Sequence, residues 1–304
     1  MGPTAAGKTG LAVELVRRLP FTIISVDSAL VYRGMDIGTA KPDAETQRVA
    51  PHRLIDILDP SEAYSAAQFR HDALQEIADI QAIGRIPLLV GGTMLYYRAL
   101  QQGLAVLPPA DVEVRARLEA ERANDGLAAM HARLTQVDPV AAARIHPHDP
   151  QRIQRALEVY ELTGKPITEL YAHHQDKMES FRVLKWVVAP CERSVLHERI
   201  ERRFQDMLTN GFVSEVETLR ARGDLSLDRP AMRAVGYRQI WQYLDGTLNY
   251  TDMVAKAVTA TRQMAKRQLT WLRSDATTNW IDSQSPRLLD QALSNLRAAG
   301  LPTG

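Results

Sequence analysis

The feature that most constrains this chain is an octapeptide that begins at its second residue. The octapeptide reads Gly2-Pro3-Thr4-Ala5-Ala6-Gly7-Lys8-Thr9 and fits G-x-x-x-x-G-K-[ST] at every fixed position. Leu11, Leu15 and Leu19 follow in four-residue steps and predict a helix directly behind it. Glycines let the backbone aim N–H groups at phosphate oxygens, and the helix adds its positive N-terminal end. The pattern therefore predicts a di- or triphosphate site, with Lys8 on the phosphates and the Thr9 hydroxyl offered to Mg²⁺.

Composition excludes several classes of protein. The 304 residues are 45% hydrophobic and 24% charged, which is typical of a globular chain with one large domain or two smaller ones. The formal net charge of +1 creates no global field, so a nucleic-acid site has to be a local patch. The single cysteine, Cys191, rules out an internal disulfide and is interpreted as a buried or incidental thiol rather than a nucleophile. No apolar run reaches membrane-spanning length and no signal peptide is present, so we expect a cytoplasmic protein without a membrane partner.

The start of the chain is unusual for this motif. A phosphate loop normally leaves the end of a central strand, and here only Met1 precedes Gly2. Either the natural protein begins further upstream or it lacks that strand, and we favour the upstream start. Without the strand, the loop would be poorly anchored and its affinity for phosphate would suffer.

The pattern along the first hundred residues predicts an α/β fold. Short apolar runs at 22–26, 54–58 and 86–90 are predicted as strands, the last of them buried. Helical patterns at 8–19, at 65–83 and after Thr93 alternate with them. Alternation of this kind predicts a parallel sheet flanked by helices on both faces, like that of P-loop NTPases. Ligands bind at the carboxyl ends of such strands, where the phosphate loop, Asp27 and Thr93 all fall.

The pattern changes near Gly103. Residues 104–180 show helical segments and no convincing strand, and a strand pattern returns at 183–188. We predict a core domain of residues 1–103 and 181–304, with basic C-terminal helices, that is interrupted by an all-helical insertion domain of residues 104–180. The other segments predicted as helices are 111–123, 125–135, 151–162, 193–208, 212–222 and 250–273, and a strand at 280–281 precedes a final helix.

Two predicted strand ends carry polar groups. Asp27 follows the first strand, where a carboxylate can ligate Mg²⁺ or accept a proton from an attacking nucleophile. Its structural alternative is a helix cap or a turn former. The turn Gly91-Gly92-Thr93 permits close backbone approach, and Thr93 can hydrogen-bond a phosphate or a flipped base, or simply cap the next helix.

The helix predicted at 250–273 is the most basic element of the chain. No acidic residue lies between Met253 and Ser274, and the cations of this helix are Lys256, Arg262, Lys266, Arg267 and Arg273. Arg262, Lys266 and Arg273 share one helical face. With Trp271 among the cations, this pattern favours a helix that faces a polyanion over a solvated face.

Weaker signals lie elsewhere. Arg233 and Arg238 precede the basic helix, and Gln151, Arg152, Gln154 and Arg155 cluster in the predicted insertion. Glutamine and arginine are good donors to base edges and phosphates. His146, His148, His173 and His174 show no metal-ligand spacing and are predicted to lie in loops.

These residues alone leave three hypotheses open. A small-molecule kinase needs only the phosphate loop and Asp27. A transferase that acts on RNA and uses the loop for a diphosphate leaving group also explains the helical insertion and the basic helix. A regulatory nucleotide-binding module is the weakest of the three.

Seven strings taken together resemble one family, the bacterial tRNA dimethylallyltransferases, also called tRNA isopentenyltransferases. The strings occur in the family's order and span nearly the whole chain. They cover residues 2–9, 27–32, 38–42, 91–96, 149–158, 235–239 and 266–273.

The resemblance implies a reaction. A dimethylallyl group passes from dimethylallyl diphosphate to N6 of the adenosine 3′ of the anticodon (position 37) in tRNA, which gives N6-dimethylallyladenosine and diphosphate. A small-molecule kinase is retained as the alternative. The implied cofactor is Mg²⁺, the implied partner is the tRNA anticodon stem-loop, and the expected state is a monomer without an obligate protein partner.

The resemblance also implies residue roles. Asp27 hydrogen-bonds N6 and takes its proton, while Lys8, the loop N–H groups of residues 2–9 and Mg²⁺ near Thr9 stabilise charge on the diphosphate. Arg203 resembles a further diphosphate-binding arginine, and Thr93 matches a threonine near the target adenosine. The residues implied to contact tRNA are Asp27, Ser28, Ala29, Leu30, Thr93, Arg115, Gln151, Arg152, Ile153, Gln154, Arg155, Arg233, Arg238, Lys266, Arg267 and Arg273.

Overall fold

The fold is given by a computed structural model that describes residues 1–103, 105, 107–172 and 181–302. The N-terminal elements are α1 (Lys8–Arg18), β1 (Phe21–Val26), α2 (Ala44–Val49), β2 (His52–Arg53), α3 (Ala66–Ala82), β3 (Ile86–Gly91) and α4 (Met94–Gln102). Four helices follow, α5 (Val112–Val137), α6 (Pro139–Arg144), α7 (Pro150–Thr163) and α8 (Ile167–Ala172). The remaining elements are β4 (Trp186–Ala189), α9 (Arg193–Thr209), α10 (Phe212–Ala221), α11 (Tyr237–Leu244), α12 (Tyr250–Arg273), β5 (Asn279–Asp282) and α13 (Leu288–Ala298).

The chain forms two compact units. One comprises Met1–Leu100 and Ser180–Gly304, and the other comprises Gln101–Glu179. In the part of the chain that the structure describes, all strands belong to the first unit. None of the described helices is both long and apolar enough to cross a bilayer.

The strands confirm the predicted parallel α/β architecture. β1 is the central strand of a three-stranded sheet of order β2-β1-β3, and it pairs with β3 from Phe21↔Ile86 to Val26↔Gly91. β4 and β5 form a second parallel pair from Trp186↔Asn279 to Ala189↔Asp282. Because Val26 lies opposite Gly91, the segments that follow β1 and β3 emerge side by side at one edge of the sheet.

The strand predicted at 54–58 is wrong. β2 contains only His52 and Arg53, and the run that follows it turns away from the sheet. Leu54 and Asp56 have φ values of 61° and 55°, left-handed conformations that a strand excludes. Leu54 and Ile55 are nevertheless buried, so the apolar run reflects the packing of a loop against the core.

β3 was predicted as a buried strand, and the structure corrects this. β1 is buried along its whole length, whereas β3 is only half-buried as far as Val90. Among the described strands, β1 alone pairs with β3.

Met1 places the phosphate loop beside β4. The N-terminal amine of Met1 donates to the carbonyl of Trp186 at 2.8 Å, and the Met1 carbonyl accepts from the N–H of Val188 at 2.9 Å. The residue ahead of the loop is therefore hydrogen-bonded as a parallel neighbour of β4.

For most of the predicted helices, the observed ends lie within about one residue of the predicted ends. Ser65 caps α3 and exchanges hydrogen bonds with Gln68 in a capping box, and Asp149 caps α7 with Pro150 at its first position. The helices predicted at 111–123 and 125–135 are the two parts of α5, which breaks at Gly126, where φ is 82°. The strand predicted at 183–188 begins three residues later, at Trp186. His173 and His174, predicted in a loop, lie outside the described residues.

The helical unit contains a buried carboxylate. Glu158 in α7 has no exposed side-chain surface, and it accepts hydrogen bonds from Arg115 at 2.8 Å and from Arg155 at 2.7 Å. The N–H of Asp111 donates to the same carboxylate at 3.0 Å. Burial alone would raise the pKa of Glu158, but the hydrogen bonds from the two arginines outweigh it and the pKa is lowered.

Glu158→Ala should destabilise the helical unit. It removes the acceptor on which two guanidinium groups and the start of α5 depend, so we expect a loss of about 3 kcal/mol in the free energy of unfolding. Urea unfolding followed by circular dichroism measures this loss. The control is Glu119→Ala, because Glu119 pairs with Arg122 on the exposed face of α5 and should contribute less than about 0.5 kcal/mol. Equal stability of the two variants would contradict the prediction.

Candidate active site

The phosphate loop joins β4, through Met1, to the start of α1. Gly7 caps α1 in a left-handed conformation, with a φ of 87°, and α1 has neither a side-chain cap nor an acidic residue in its first turn. The N–H groups of this turn are therefore left for an anion. Lys8 lies in the same turn, and its Nζ donates to the carbonyl of Pro3 at 2.7 Å. The hydroxyl-bearing residue Thr9 is exposed beside it.

A side chain from α12 holds the loop in place. The N–H of Thr4 donates to Oε1 of Gln268 at 2.9 Å, and Nε2 of Gln268 donates to the carbonyl of Gly92 at 2.8 Å. A Cβ atom on Gly92 would lie 2.5 Å from Nε2 of Gln268 and 3.2 Å from the carbonyl oxygen of Gly2. A larger residue at position 92 would displace the amide of Gln268, which joins the loop to the turn after β3.

The ends of β1 and β3 bring Asp27 and Thr93 together. Oδ1 of Asp27 accepts from the N–H of Ala29 at 2.9 Å and from that of Leu30 at 3.4 Å. The N–H of Ser28 donates to the hydroxyl of Thr93 at 3.2 Å. Asp27 is thus a turn former through one oxygen, and within the described chain its Oδ2 accepts no hydrogen bond.

Arg203 completes a charged cluster with Lys8 and Asp27. It extends from α9, and its Nη2 donates to the carbonyl of Thr39 at 3.3 Å. Burial lowers the pKa of Lys8 to about 8, the Asp27 carboxylate opposes that shift and the Arg203 charge adds to it. Burial also lowers the pKa of Arg203, again opposed by Asp27. Asp27 therefore neutralises the two cations, Lys8 and Arg203, only in part. An anion bound at the phosphate loop would stabilise their charged forms.

The loop that receives Arg203 is fixed by a carboxylate of α10. Glu215 accepts from the N–H groups of Asp36 at 2.9 Å, Ile37 at 2.7 Å and Gly38 at 3.2 Å. The hydroxyl of Tyr237 donates to the same carboxylate. The backbone around Thr39 is therefore held from outside the charged cluster.

A small cavity of about 60 Å³ lies between the phosphate loop and Arg203. This volume accommodates about four or five heavy atoms. Thr4, Ala5 and Arg203 line it on the side of the loop and α9. Its other lining residues are mostly apolar: Gly38, Ile200, Phe204, Met207, Phe212, Val235, Thr261 and Met264.

The residues predicted to contact RNA are placed differently in the two units. In the helical unit, Arg115 and Arg155 both donate hydrogen bonds to the carboxylate of Glu158. The side chain of Gln154 donates to the Arg115 carbonyl at 3.3 Å. Ile153 is fully buried in the helical core, so its side chain is not available to a ligand and is withdrawn from the predicted interface. Gln151 and Arg152 remain exposed, although Arg152 contacts Asp149 at 3.4 Å.

The C-terminal cations are more accessible. Lys266, Arg267 and Arg273 are exposed, and their side chains form no ion pair with any described residue. Arg238 is exposed as well, and Arg233 lies 3.9 Å from Asp228.

Sequence reasoning assigned Gln268 no role. The helix predicted at 250–273 drew attention for its cations and the string 266–273 for its family resemblance, and neither assigns a contact to Gln268. The two hydrogen-bond partners of Gln268 lie 264 and 176 residues away in sequence. A local pattern contains no signal for such contacts.

Comparison with known proteins identifies the family. The model of the family described as IPP transferase matches residues 30–275. The full-length tRNA isopentenylpyrophosphate transferase of Bacillus halodurans is 39% identical, with a TM-score of 0.71 over 98% of this chain and 94% of that one. The tRNA delta(2)-isopentenylpyrophosphate transferase of Staphylococcus epidermidis is 33% identical, with a TM-score of 0.69 over 98% and 97% of the two chains. A eukaryotic dimethylallyltransferase that acts on tRNA is 26% identical, with a TM-score of 0.82 over 99% of this chain and 79% of that one.

The chain belongs to the IPP transferase family. The family match begins at residue 30 and therefore leaves the phosphate loop outside it, whereas the structural matches cover nearly the whole chain.

The affinity for diphosphate should depend on the protonation of Lys8. With the pKa lowered to about 8, unbound Lys8 loses its proton above that pH, and only the protonated amine attracts the anion. Raising the pH from one unit below to one unit above this pKa should weaken the binding of inorganic diphosphate about tenfold. Isothermal titration calorimetry at both pH values measures the effect. Lys8→Met is the control, since ionisation of the ligand affects both proteins equally. An identical pH dependence in the two proteins would rule out Lys8 as its source.

Gln268→Glu should weaken diphosphate binding about tenfold or more. A carboxylate can still accept from Thr4, but it cannot donate to Gly92, and it adds a negative charge beside the phosphate loop. The control is Gln263→Glu, because Gln263 is exposed on the same helix and the change of charge is the same. Calorimetry should show the control within about twofold of the wild type. Unchanged affinity in Gln268→Glu would mean that this amide does not position the loop.

Proposed function

We propose that this protein transfers a dimethylallyl group from dimethylallyl diphosphate to N6 of the adenosine 3′ of the anticodon (position 37) in tRNA. As a member of the IPP transferase family, the protein is a tRNA prenyltransferase. The kinase alternative is not favoured, because the solved structures it matches are transferases that act on tRNA. The observation that carries the finer proposal is the grouping of the phosphate loop, Arg203, Asp27 and Thr93 around one site.

The charged cluster suits the donor. In the proposal, the loop N–H groups, Lys8 and Arg203 bind the diphosphate and stabilise the negative charge that grows on it as the allylic C–O bond breaks. The apolar cavity beside the loop has room for about four or five heavy atoms, which matches a five-carbon group.

The strand ends suit the acceptor. The exocyclic amine of adenine is a weak nucleophile because its lone pair is delocalised into the ring. In the proposed step, N6 attacks the allylic carbon, the C–O electrons leave with the diphosphate, and Oδ2 of Asp27 takes the proton from N6. Thr93, which already binds the N–H of Ser28, lies beside Asp27 to contact the base. Such a base has to leave its stack in the RNA to reach the site.

Mg²⁺ is the proposed cofactor. The described residues contain no cluster of three acidic, histidine or cysteine side chains that would hold a metal alone. Mg²⁺ is commonly bound by one or two protein oxygens together with substrate phosphates, so the exposed Thr9 hydroxyl fits a site that the diphosphate completes. When bound, the ion would neutralise charge on the leaving group.

The proposed partner is the anticodon stem-loop of tRNA, without an obligate protein subunit. Its phosphates would meet Lys266, Arg267 and Arg273, whose charges are not compensated within the described chain. Gln151 and Arg152 are the exposed donors proposed in the helical unit. A tRNA substrate also underlies the proposed cytoplasmic location.

The test is incubation with labelled dimethylallyl diphosphate, Mg²⁺ and unmodified tRNA, followed by nucleoside analysis. We expect label in N6-dimethylallyladenosine, and none in a transcript that carries another base at position 37. Brisk hydrolysis of nucleoside triphosphates with no label in the RNA would overturn the proposal and favour a kinase.

Asp27→Asn tests the role of the carboxylate. Asparagine keeps an oxygen for the N–H groups of Ala29 and Leu30 but cannot take a proton, so transfer should fall by about a thousandfold. Binding of tRNA, measured by filter retention, should stay within about threefold. Near-normal turnover would remove Asp27 from the role of base.

A further inference from the structure

A second and larger cavity lies at the carboxyl ends of β4 and β5. Its volume is about 800 Å³, and the mechanism proposed above does not use it. One wall is the face of α12 that carries Arg262, Lys266 and Arg273. The other lining residues are Ala189, Pro190, Cys191, Arg193, Leu196, His197, Ala265, Leu269, Thr270, Trp280, Ile281, Asp282, Gln291 and Asn295.

The charge of the cavity is mainly positive. Arg193 at the start of α9 adds a fourth cation to the three of α12, and its Nε lies 3.2 Å from Nε2 of His197. Burial lowers the pKa of His197, and the charges of Arg262 and Arg193 lower it further. Within the described residues, Arg262 is the one of these four cations with an acidic partner, Glu201, at 2.8 Å.

Acidic groups do little to offset these charges. Asp282 is the one acidic residue among those that line the cavity, and its contact is with Cys191, where its hydrogen bond raises the pKa of the thiol. Cys191 is exposed and free rather than buried, and the raised pKa disfavours its thiolate form. Lys266 and Arg273 are left without an ion partner within the described chain.

The cavity has aromatic and polar walls besides its charge. Trp280 lines it with 46% of its surface exposed, so part of the indole is accessible to a ligand in the cavity. Thr270, Gln291 and Asn295 offer hydrogen bonds, and Leu196 and Ile281 are buried apolar residues of the lining. The volume far exceeds that needed for a lone phosphate and is in the range of sites for ligands of nucleotide size.

α12 separates this cavity from the candidate active site. Gln268 faces the phosphate loop, while Lys266, Leu269 and Arg273 face the cavity. An RNA whose reactive base lies on one side of the helix can therefore place a neighbouring nucleotide on the other side.

We propose that the cavity binds one nucleotide of the RNA substrate other than the adenosine that is prenylated. The base stacks on Trp280, and the phosphate lies between Arg193 and the Lys266–Arg273 face of α12. This inference rests on the proposed function and adds a second contact to it. The same chemistry would suit a free nucleoside monophosphate, so the test includes both sources.

The experiment uses two variants outside α12 and the candidate active site. Arg193→Gln removes a cavity cation, and Trp280→Ala removes the stacking surface. Each should weaken the binding of a tRNA anticodon stem-loop, measured by fluorescence anisotropy, by about tenfold. Arg193→Gln should also reduce the slope of log affinity against log salt by about one. Trp280→Phe, which retains an aromatic face, should bind within about threefold of the wild type.

The matched control is Lys256→Gln. Lys256 is an exposed cation of α12 that does not line the cavity and precedes Lys266 by about 15 Å along the helix. Its loss should leave stem-loop affinity within about twofold. Circular dichroism checks that every variant is folded.

A second arm uses adenosine monophosphate and inorganic phosphate as probes. Loss of adenosine monophosphate binding in Arg193→Gln and Trp280→Ala, with unchanged stem-loop binding, would assign the cavity to a free nucleotide and overturn the RNA assignment. Binding of every probe that is equal in the wild type and both variants would overturn the site altogether.

Prenyl transfer by the wild type is measured on the same stem-loop. Absence of transfer would overturn the proposed function whatever the cavity binds. Normal transfer, with an unchanged KM for RNA in Arg193→Gln, would overturn the cavity proposal and leave the proposed function intact.

Discussion

The candidate active site depends on the two hydrogen bonds that Gln268 makes across it. The phosphate loop extends from Met1 beside β4, whereas Asp27 and Thr93 follow β1 and β3 in a different sheet. Parallel pairing of β1 with β3 fixes Asp27 relative to Thr93, but it does not fix the loop. Packing of α1 on β1 and β3 carries the loop on the same sheet. The amide of Gln268, which binds Thr4 on one side and Gly92 on the other, adds a direct connection between the loop and the turn after β3. A donor and an acceptor substrate can react only if the two halves of their site stay in register.

Burial and charge act against each other in this site. Lys8 and Arg203 are both partly withdrawn from water, and burial lowers the pKa of each. Among the described carboxylates, Asp27 is the one that opposes both shifts, and it compensates them only in part. A diphosphate would supply the missing negative charge, and a leaving group that gains charge during the reaction would be favoured still more. The site is thus better suited to the late, charged stage of an allylic transfer than to a neutral ligand.

Much of the fold could be predicted because its signals are local. The box of Ser65 with Gln68 and the pair Asp149-Pro150 mark helix starts within a few residues of sequence, and α3 and α7 begin there. The run at 54–58 was predicted wrongly because burial in a loop and burial in a strand select the same apolar residues. Only the positive φ values of Leu54 and Asp56 distinguish the loop from a strand, and the residue types at these positions do not predict such values.

The candidate active site, like the fold, was predicted only where its signals are local in sequence. The phosphate-loop motif correctly predicted that Lys8 lies at the start of α1. Because parallel strands end at the same edge of a sheet, the sequence also predicted that Asp27 and Thr93 lie together there. Contacts between residues that lie far apart in sequence could not be predicted. Gln268 was overlooked, and the internal use of Arg115 by Glu158 in another helix was not foreseen. Helical spacing shows which cations share a face of a helix. It does not show whether a carboxylate on another helix already forms an ion pair with them.

The support of Arg203 by Glu215 bears on how sequence variation in such an enzyme is interpreted. Glu215 and Tyr237 form hydrogen bonds with the backbone at Ile37 and with each other, and so hold the segment that receives the guanidinium of Arg203. A displacement of about 1 Å there can cost a hundredfold in rate without removing any reacting group. A substitution at either position can therefore lower turnover as well as stability, and its effect on the rate would be mistaken for a lesion of the reaction centre itself.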